Sequence, residues 1–111
     1  MTELPLEVDV HHVQKLLSSN EDFLLLDVRE ENEYAVAMID GSTLLPMSQI
    51  RDRLSELEPH REKLIVVHCH HGGRSMQVTQ ALRSQGFTQV QNMAGGIDDW
   101  SQQIDPTVPR Y

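Results

Sequence analysis

Residues 64–67 read Leu-Ile-Val-Val, and this run constrains the fold more than any other stretch of the chain. An unbroken apolar run rich in β-branched residues suits a strand covered on both faces, as in parallel sheets flanked by helices. Downstream, Met76, Val78, Thr79 and Leu82 fall at helical spacing. The unit is therefore predicted to be a buried strand, a short loop over residues 69–74, and a helix ending near Gln85 and Gly86, with Gly86 as its C-terminal cap.

The loop carries the chemistry. It reads Cys69, His70, His71, Gly72, Gly73, Arg74, and Ser75 follows it. A strand that ends in a glycine-rich turn and enters a helix aims several backbone N–H groups, and the positive end of the helix dipole, at one spot. A thiol placed there sits in a field that favours thiolate, the nucleophilic form. The alternative for a cysteine after an apolar strand is a small buried hydrophobe. The two glycines with Arg74 favour a reactive Cys69. Four adjacent potential ligands, His68 to His71, point in different directions along a strand end, so no metal site is expected there, nor at His11 and His12.

The rest of the chain alternates strands with helices. Leu6, Val8 and Val10 alternate with Glu7 and Asp9 as a short strand, and residues 11–20 read as a helix with Val13, Leu16 and Leu17 inward. Residues 23–29 form a second buried strand ending in Asp27 and Arg29. These two are read as hydrogen-bond partners that hold neighbouring loops, with a supporting role at the site as the alternative. Residues 30–37 give a short helix with an acidic start. Residues 42–45 form a strand stopped by Pro46, and Ile50, Leu54 and Leu57 predict a helix from Met47 to about Leu57, broken by Pro59. A last strand spans residues 89–92. Gly95 and Gly96 then lead into a helix carrying Trp100 and Ile104, and Pro106 and Pro109 mark an irregular tail. The predicted fold class is α/β, with a mainly parallel sheet covered on both faces and the Cys69 loop at its carboxyl edge.

The 111 residues fit one domain, 1–111. A net charge of −8 argues against nucleic acid and anionic membrane surfaces as partners. No apolar run approaches the roughly 20 residues of a membrane span, and the N-terminus lacks the basic region of a signal peptide. With one cysteine there is no internal disulfide, and a reducing cytoplasm is expected. A lone thiol also means that any covalent adduct must be discharged to an outside acceptor.

The Cys-x-x-Gly-x-Arg-Ser pattern at Cys69, Gly72, Arg74 and Ser75 resembles the active-site loop of the rhodanese sulfurtransferases. Two further stretches agree with that family, Asp27-Val-Arg29 and the run from Asn92 through Gly95 and Gly96 to Trp100. The family's Gly-His-Ile-Pro-Gly run appears here as residues 37–41, where only Ile39 and Gly41 match. Residues 105–111 are similar to the ends of rhodanese domains fused to adenylating enzymes of molybdopterin and thiamine biosynthesis. The resemblance implies a rhodanese-like α/β fold and sulfane-sulfur transfer. Cys69 would take the outer sulfur of thiosulfate or a persulfide, and N–H groups from His70 to Arg74 would hold the terminal sulfur. Arg74 would shape the loop or attract the anionic donor. Ser75 would cap the helix and donate a hydrogen bond. No cofactor and no metal are implied. The partners would be a small anionic sulfur donor and a thiol acceptor, including a sulfur-acceptor protein, with cyanide as the acceptor in assays.

Two other classes fit in part. A phosphatase or arsenate reductase also places cysteine before a glycine-rich loop and arginine. In the rhodanese-like phosphatases that loop is one residue longer than the four between Cys69 and Arg74. A non-catalytic or carrier module that docks a sulfur-trafficking partner is the other alternative.

Overall fold

A computed structural model describes residues 4–111. The reading of the extreme N-terminus therefore rests in part on residues 1–3, which lie outside the described residues. The elements in chain order are β1 (Glu7–Val8), α1 (Val10–Ser18), β2 (Phe23–Asp27), α2 (Glu31–Val36) and β3 (Thr43–Leu44), then two 3-10 segments, Met47–Gln49 and Leu54–His60. These are followed by β4 (Leu64–His68), α3 (Gly73–Ser84), β5 (Gln89–Met93) and α4 (Gly96–Gln103). The strands form one sheet in the order β1-β5-β4-β2-β3, every neighbouring pair parallel. This is the α/β architecture expected from the alternation of apolar strands and amphipathic helices.

Side chains alternate across the sheet and divide the core in two. Leu26, Ile65, Val67 and Val90 face α3 and the 3-10 segments, where Val78, Leu82, Leu57 and Phe87 close over them. Leu25, Val66 and Met93 face the opposite side and pack on Val10 and Val13 of α1 and on Ile97 and Trp100 of α4. With both faces covered, β4 has no polar position before His68, which is why its run is continuous rather than alternating. No helix among the described residues is long and apolar enough to cross a membrane.

Three local expectations are corrected. The first strand stops at Val8, because the Asp9 side chain accepts the His12 N–H at 2.9 Å and caps α1, so buried Val10 joins the helix. The predicted helix over residues 47–57 is instead a pair of 3-10 segments, and Pro59 lies inside the second rather than ending it. Leu57 is buried, with Ile50 and Leu54 packed beside it, so the apolar spacing reported burial correctly and helix type wrongly. Finally, α3 begins at Gly73, two residues before Ser75. Gly72 is its N-cap, and Ser75 lies within the first turn instead of capping it.

Candidate active site

Register places the site. Asp27 of β2 pairs with His68 of β4, and Val67 pairs with Asn92 of β5, so the carboxyl ends of three strands finish level. Cys69 is the first residue beyond β4. Its side chain is 1% exposed and its neighbours include the apolar groups of the α3 face. Donors nevertheless converge on its sulfur. The Gly72 N–H reaches Sγ at 3.1 Å, the Ser75 N–H at 3.4 Å, and the Ser75 hydroxyl lies at 3.3 Å. Gly72 has φ +117°, a left-handed conformation that turns the loop back over the cysteine and that side-chain-bearing residues rarely adopt.

The Ser75 hydroxyl has one proton and three acceptors around it. Its shortest contact is Asn92 Oδ1 at 2.5 Å, with Gly72 O at 3.2 Å and the sulfur beyond. Asn92 is held in turn, its Nδ2 donating to Glu7 Oε2 at 2.9 Å. A hydroxyl with a resting acceptor can rotate toward an anionic sulfur when one forms.

The loop is fastened from behind by α4. Ile97 N–H donates to Cys69 O at 2.9 Å and Asp98 N–H to His70 O at 3.1 Å, so the helix's first free donors satisfy the loop's carbonyls. That approach needs Gly96. A Cβ there would lie 2.5 Å from Cys69 O and 2.4 Å from His70 O.

Asp27 and Arg29 both have side chains with 0% exposure and form an ion pair at 2.7 Å. Burial alone would raise the Asp27 pKa, but the neighbouring His68 and the Arg29 guanidinium outweigh it and hold the carboxyl well below the usual carboxylate range. His68 Nε2 lies 3.4 Å from Asp27 Oδ2, and His68 Nδ1 has no hydrogen-bond partner among the described residues. Arg29 also donates to Ala37 O at 2.6 Å and to the Tyr111 hydroxyl at 2.9 Å. The pair does not touch Cys69. It holds the chain that follows α2, and it reaches the loop's Arg74 by way of Glu33, through the Tyr111 hydroxyl and through an Arg29 Nη1 hydrogen bond to Glu33 O at 3.4 Å.

Arg74 pairs with α2 while its side chain stays 36% exposed. Its Nη1 and Nη2 donate to Glu33 Oε1 and Oε2 at 2.6 and 2.9 Å. Glu33 takes two more hydrogen bonds, from the Glu30 N–H at 3.0 Å and the Tyr111 hydroxyl at 2.8 Å. The Arg74 contact, which outweighs burial, lowers the Glu33 pKa to about 2. The Tyr111 ring stacks on His70 with centroids 4.0 Å apart, and His70 stacks on His71 at 3.9 Å. His70 is half-buried, whereas His71 is exposed and Gly73 has open space around it.

Three residues of this constellation were not legible as site residues in the sequence: Asn92, Glu33 and Tyr111. Asn92 stood in the stretch that resembled the family. Glu33 belonged to an acidic helix start, which has an ordinary explanation in the helix dipole. Tyr111 carried no signal, and its tail read as irregular.

The fold is a five-stranded parallel α/β sheet with one cysteine cradled at its carboxyl edge. Residues 9–103 match the family model described as the rhodanese-like domain, and the chain belongs to that family. It is 37% identical over 102 residues to a sulfurtransferase of Allochromatium vinosum, covering 92% of this chain and 94% of that protein. It is 42% identical over 91 residues to the chloroplastic rhodanese-like/PpiC domain-containing protein 12 of Arabidopsis thaliana. That match covers 78% of this chain but only 30% of the relative, so the chain spans under a third of that protein's length. Among solved structures, the human single-domain sulfurtransferase TSTD1 superposes with a TM-score of 0.80 at 28% identity, covering 90% of this chain and 98% of that one.

Proposed function

We propose that the chain, acting as one rhodanese-like domain over residues 1–111, carries a sulfane sulfur on Cys69 between a donor and a thiol acceptor. The observation that carries this reading is the convergence of the Gly72 N–H, the Ser75 N–H and the Ser75 hydroxyl on one sulfur atom. Donors fixed before reaction stabilise an anionic sulfur without reorganising. With thiosulfate, the Cys69 thiolate attacks the outer sulfur, the S–S bond of the donor breaks, and sulfite leaves with the bonding pair. The Cys69 persulfide that remains is one sulfur longer. Amide N–H groups of the loop from His70 to Arg74, with Ser75, hold its negative terminal atom. A thiolate acceptor, or cyanide in an assay, then removes that atom and restores the Cys69 thiolate. No metal or organic cofactor enters these steps. Asp27 and Arg29 support the loop from beneath, through Tyr111.

A reducing cytoplasm suits a lone thiol, and a thiol on a second protein fits the acceptor role. A carrier reading is favoured by one relative, the putative sulfur carrier protein YrkF of Bacillus subtilis. It is 34% identical over 95 residues, and this chain spans 50% of its length. Rapid transfer to one protein beside slow turnover with small acceptors distinguishes that role.

The test is intact-mass measurement after incubation with thiosulfate and with a persulfide donor. The expected result is a gain of about 32 Da, one sulfur, on the protein and none on Cys69→Ser. Absence of the gain with every donor refutes the proposal.

A further inference from the structure

The cradle's mouth is poor in free positive charge. Arg74, the cation that ends the loop, is held by both oxygens of Glu33. Glu33 has four hydrogen-bond donors and stays ionised across the neutral range. The other cations on elements meeting the loop are also taken, Arg29 by Asp27 and Arg110 by Asp98. Burial, and then its neighbour His71, lower the His70 pKa from its ordinary value, which favours the neutral imidazole near pH 7. His71 Nδ1 lies 3.9 Å from Asp98. Among the described residues the cations outside an ion pair are Lys15 on α1, Arg51 in a groove beside Gln77 and Ala81, and Arg83 in the last turn of α3. An incoming dianion therefore meets backbone N–H groups and a helix terminus, in a chain of net charge −8. Beside them the His71, His70 and Tyr111 rings stack on one another, an uncharged flank that would meet the carbon skeleton of an organic donor.

We propose that Glu33 sets the donor class at Cys69: by cancelling Arg74 it turns the cradle away from thiosulfate and toward the persulfide of an organic thiol. This rests on the Cys69 persulfide reading above. The step balances. The Cys69 thiolate attacks the terminal sulfur of R–S–SH, a new S–S bond forms, the donor's S–S bond breaks, and R–S⁻ leaves with the electron pair. The proton on the terminal sulfur travels with it and is then lost to solvent. Glu33 is a specificity-determining residue here, and Tyr111 positions it.

The experiment measures the rate of sulfur gain on Cys69 by intact mass, with thiosulfate and with cysteine persulfide as separate donors. Three proteins are compared: the unaltered chain, Glu33→Gln and Asp98→Asn. Gln at position 33 keeps an oxygen for the Glu30 N–H, and Asp98→Asn frees Arg110 while leaving the backbone contact to His70 intact. The unaltered protein should load faster from the persulfide. Removing one negative charge near the mouth should shift the persulfide-to-thiosulfate ratio toward thiosulfate by about tenfold in Glu33→Gln, and by less in Asp98→Asn. Raising the salt concentration should shift the unaltered protein the same way. A ratio unchanged in both variants, or thiosulfate the faster donor in the unaltered chain, overturns the assignment of Glu33 while leaving sulfur transfer standing. No gain from either donor overturns both.

Discussion

Substituting Gly96 by alanine tests how the loop is held, and the structure sets its size. Gly96 has φ +60°, where a non-glycine residue costs about 1–2 kcal/mol. The added Cβ would stand 2.4–2.6 Å from the backbone atoms Cys69 O, His70 O and His70 C. Backbone cannot rotate aside as a side-chain tip can, so the start of α4 has to withdraw. Withdrawal loses the hydrogen bonds from Ile97 and Asp98 to the loop carbonyls, worth about 1 kcal/mol each. The expected loss is about 3–4 kcal/mol. In urea, with a slope near 1.5 kcal/mol/M, the unfolding midpoint falls by roughly 2 M. Gly73→Ala is the internal control. A Cβ at that residue would meet nothing within 4 Å, and the position lies in the first turn of α3, so alanine should be neutral or stabilising by up to about 1 kcal/mol. Urea titrations followed by Trp100 fluorescence measure both. A Gly96→Ala midpoint within about 0.5 M of the parent refutes the claim that α4 must touch the loop's backbone.

Other outcomes follow from the ion-pair network. Tyr111→Phe keeps the stack on His70 but removes the hydroxyl bridge between the Arg29 guanidinium and the Glu33 carboxylate, and should cost about 1 kcal/mol in the same titration; a midpoint equal to the parent's would show that the hydroxyl bridge is idle. Because the Glu33 pKa is lowered from 4.5 to about 2, its contribution to stability is fully present above pH 4.5 and is lost as the pH falls toward 2. The melting temperature of the parent should therefore exceed that of Glu33→Gln at pH 7 and converge with it by about pH 2, and a constant difference across that range would contradict the sign.

How much could be read beforehand depended on sequence distance. The apolar run at residues 64–67, the second buried run ending in Asp27, and the Cys69–Arg74 loop are local patterns, and burial periodicity with turn chemistry suffices to place them. Helix type over residues 47–60 was not legible, since the spacing of Ile50, Leu54 and Leu57 reports which residues turn inward, and they do so here from two short 3-10 segments and the turn between them. The partner of Arg74 was not legible either. Glu33 is 41 positions away, and the tyrosine that joins them lies a further 37 positions beyond Arg74.

The chain by itself determined the alternation of strands and helices, the placement of its one thiol between a buried strand and a helix, and the glycine-rich turn that joins them. These follow from near-neighbour sterics and burial, which act over a few residues. Tertiary structure decided which charges survive at the site. Only when β2, β4 and β5 end level, and the tail folds back across the loop, do Glu33, Arg74 and Tyr111 meet. Coulomb and hydrogen-bond energies depend on that distance in space, and the order of residues does not contain it.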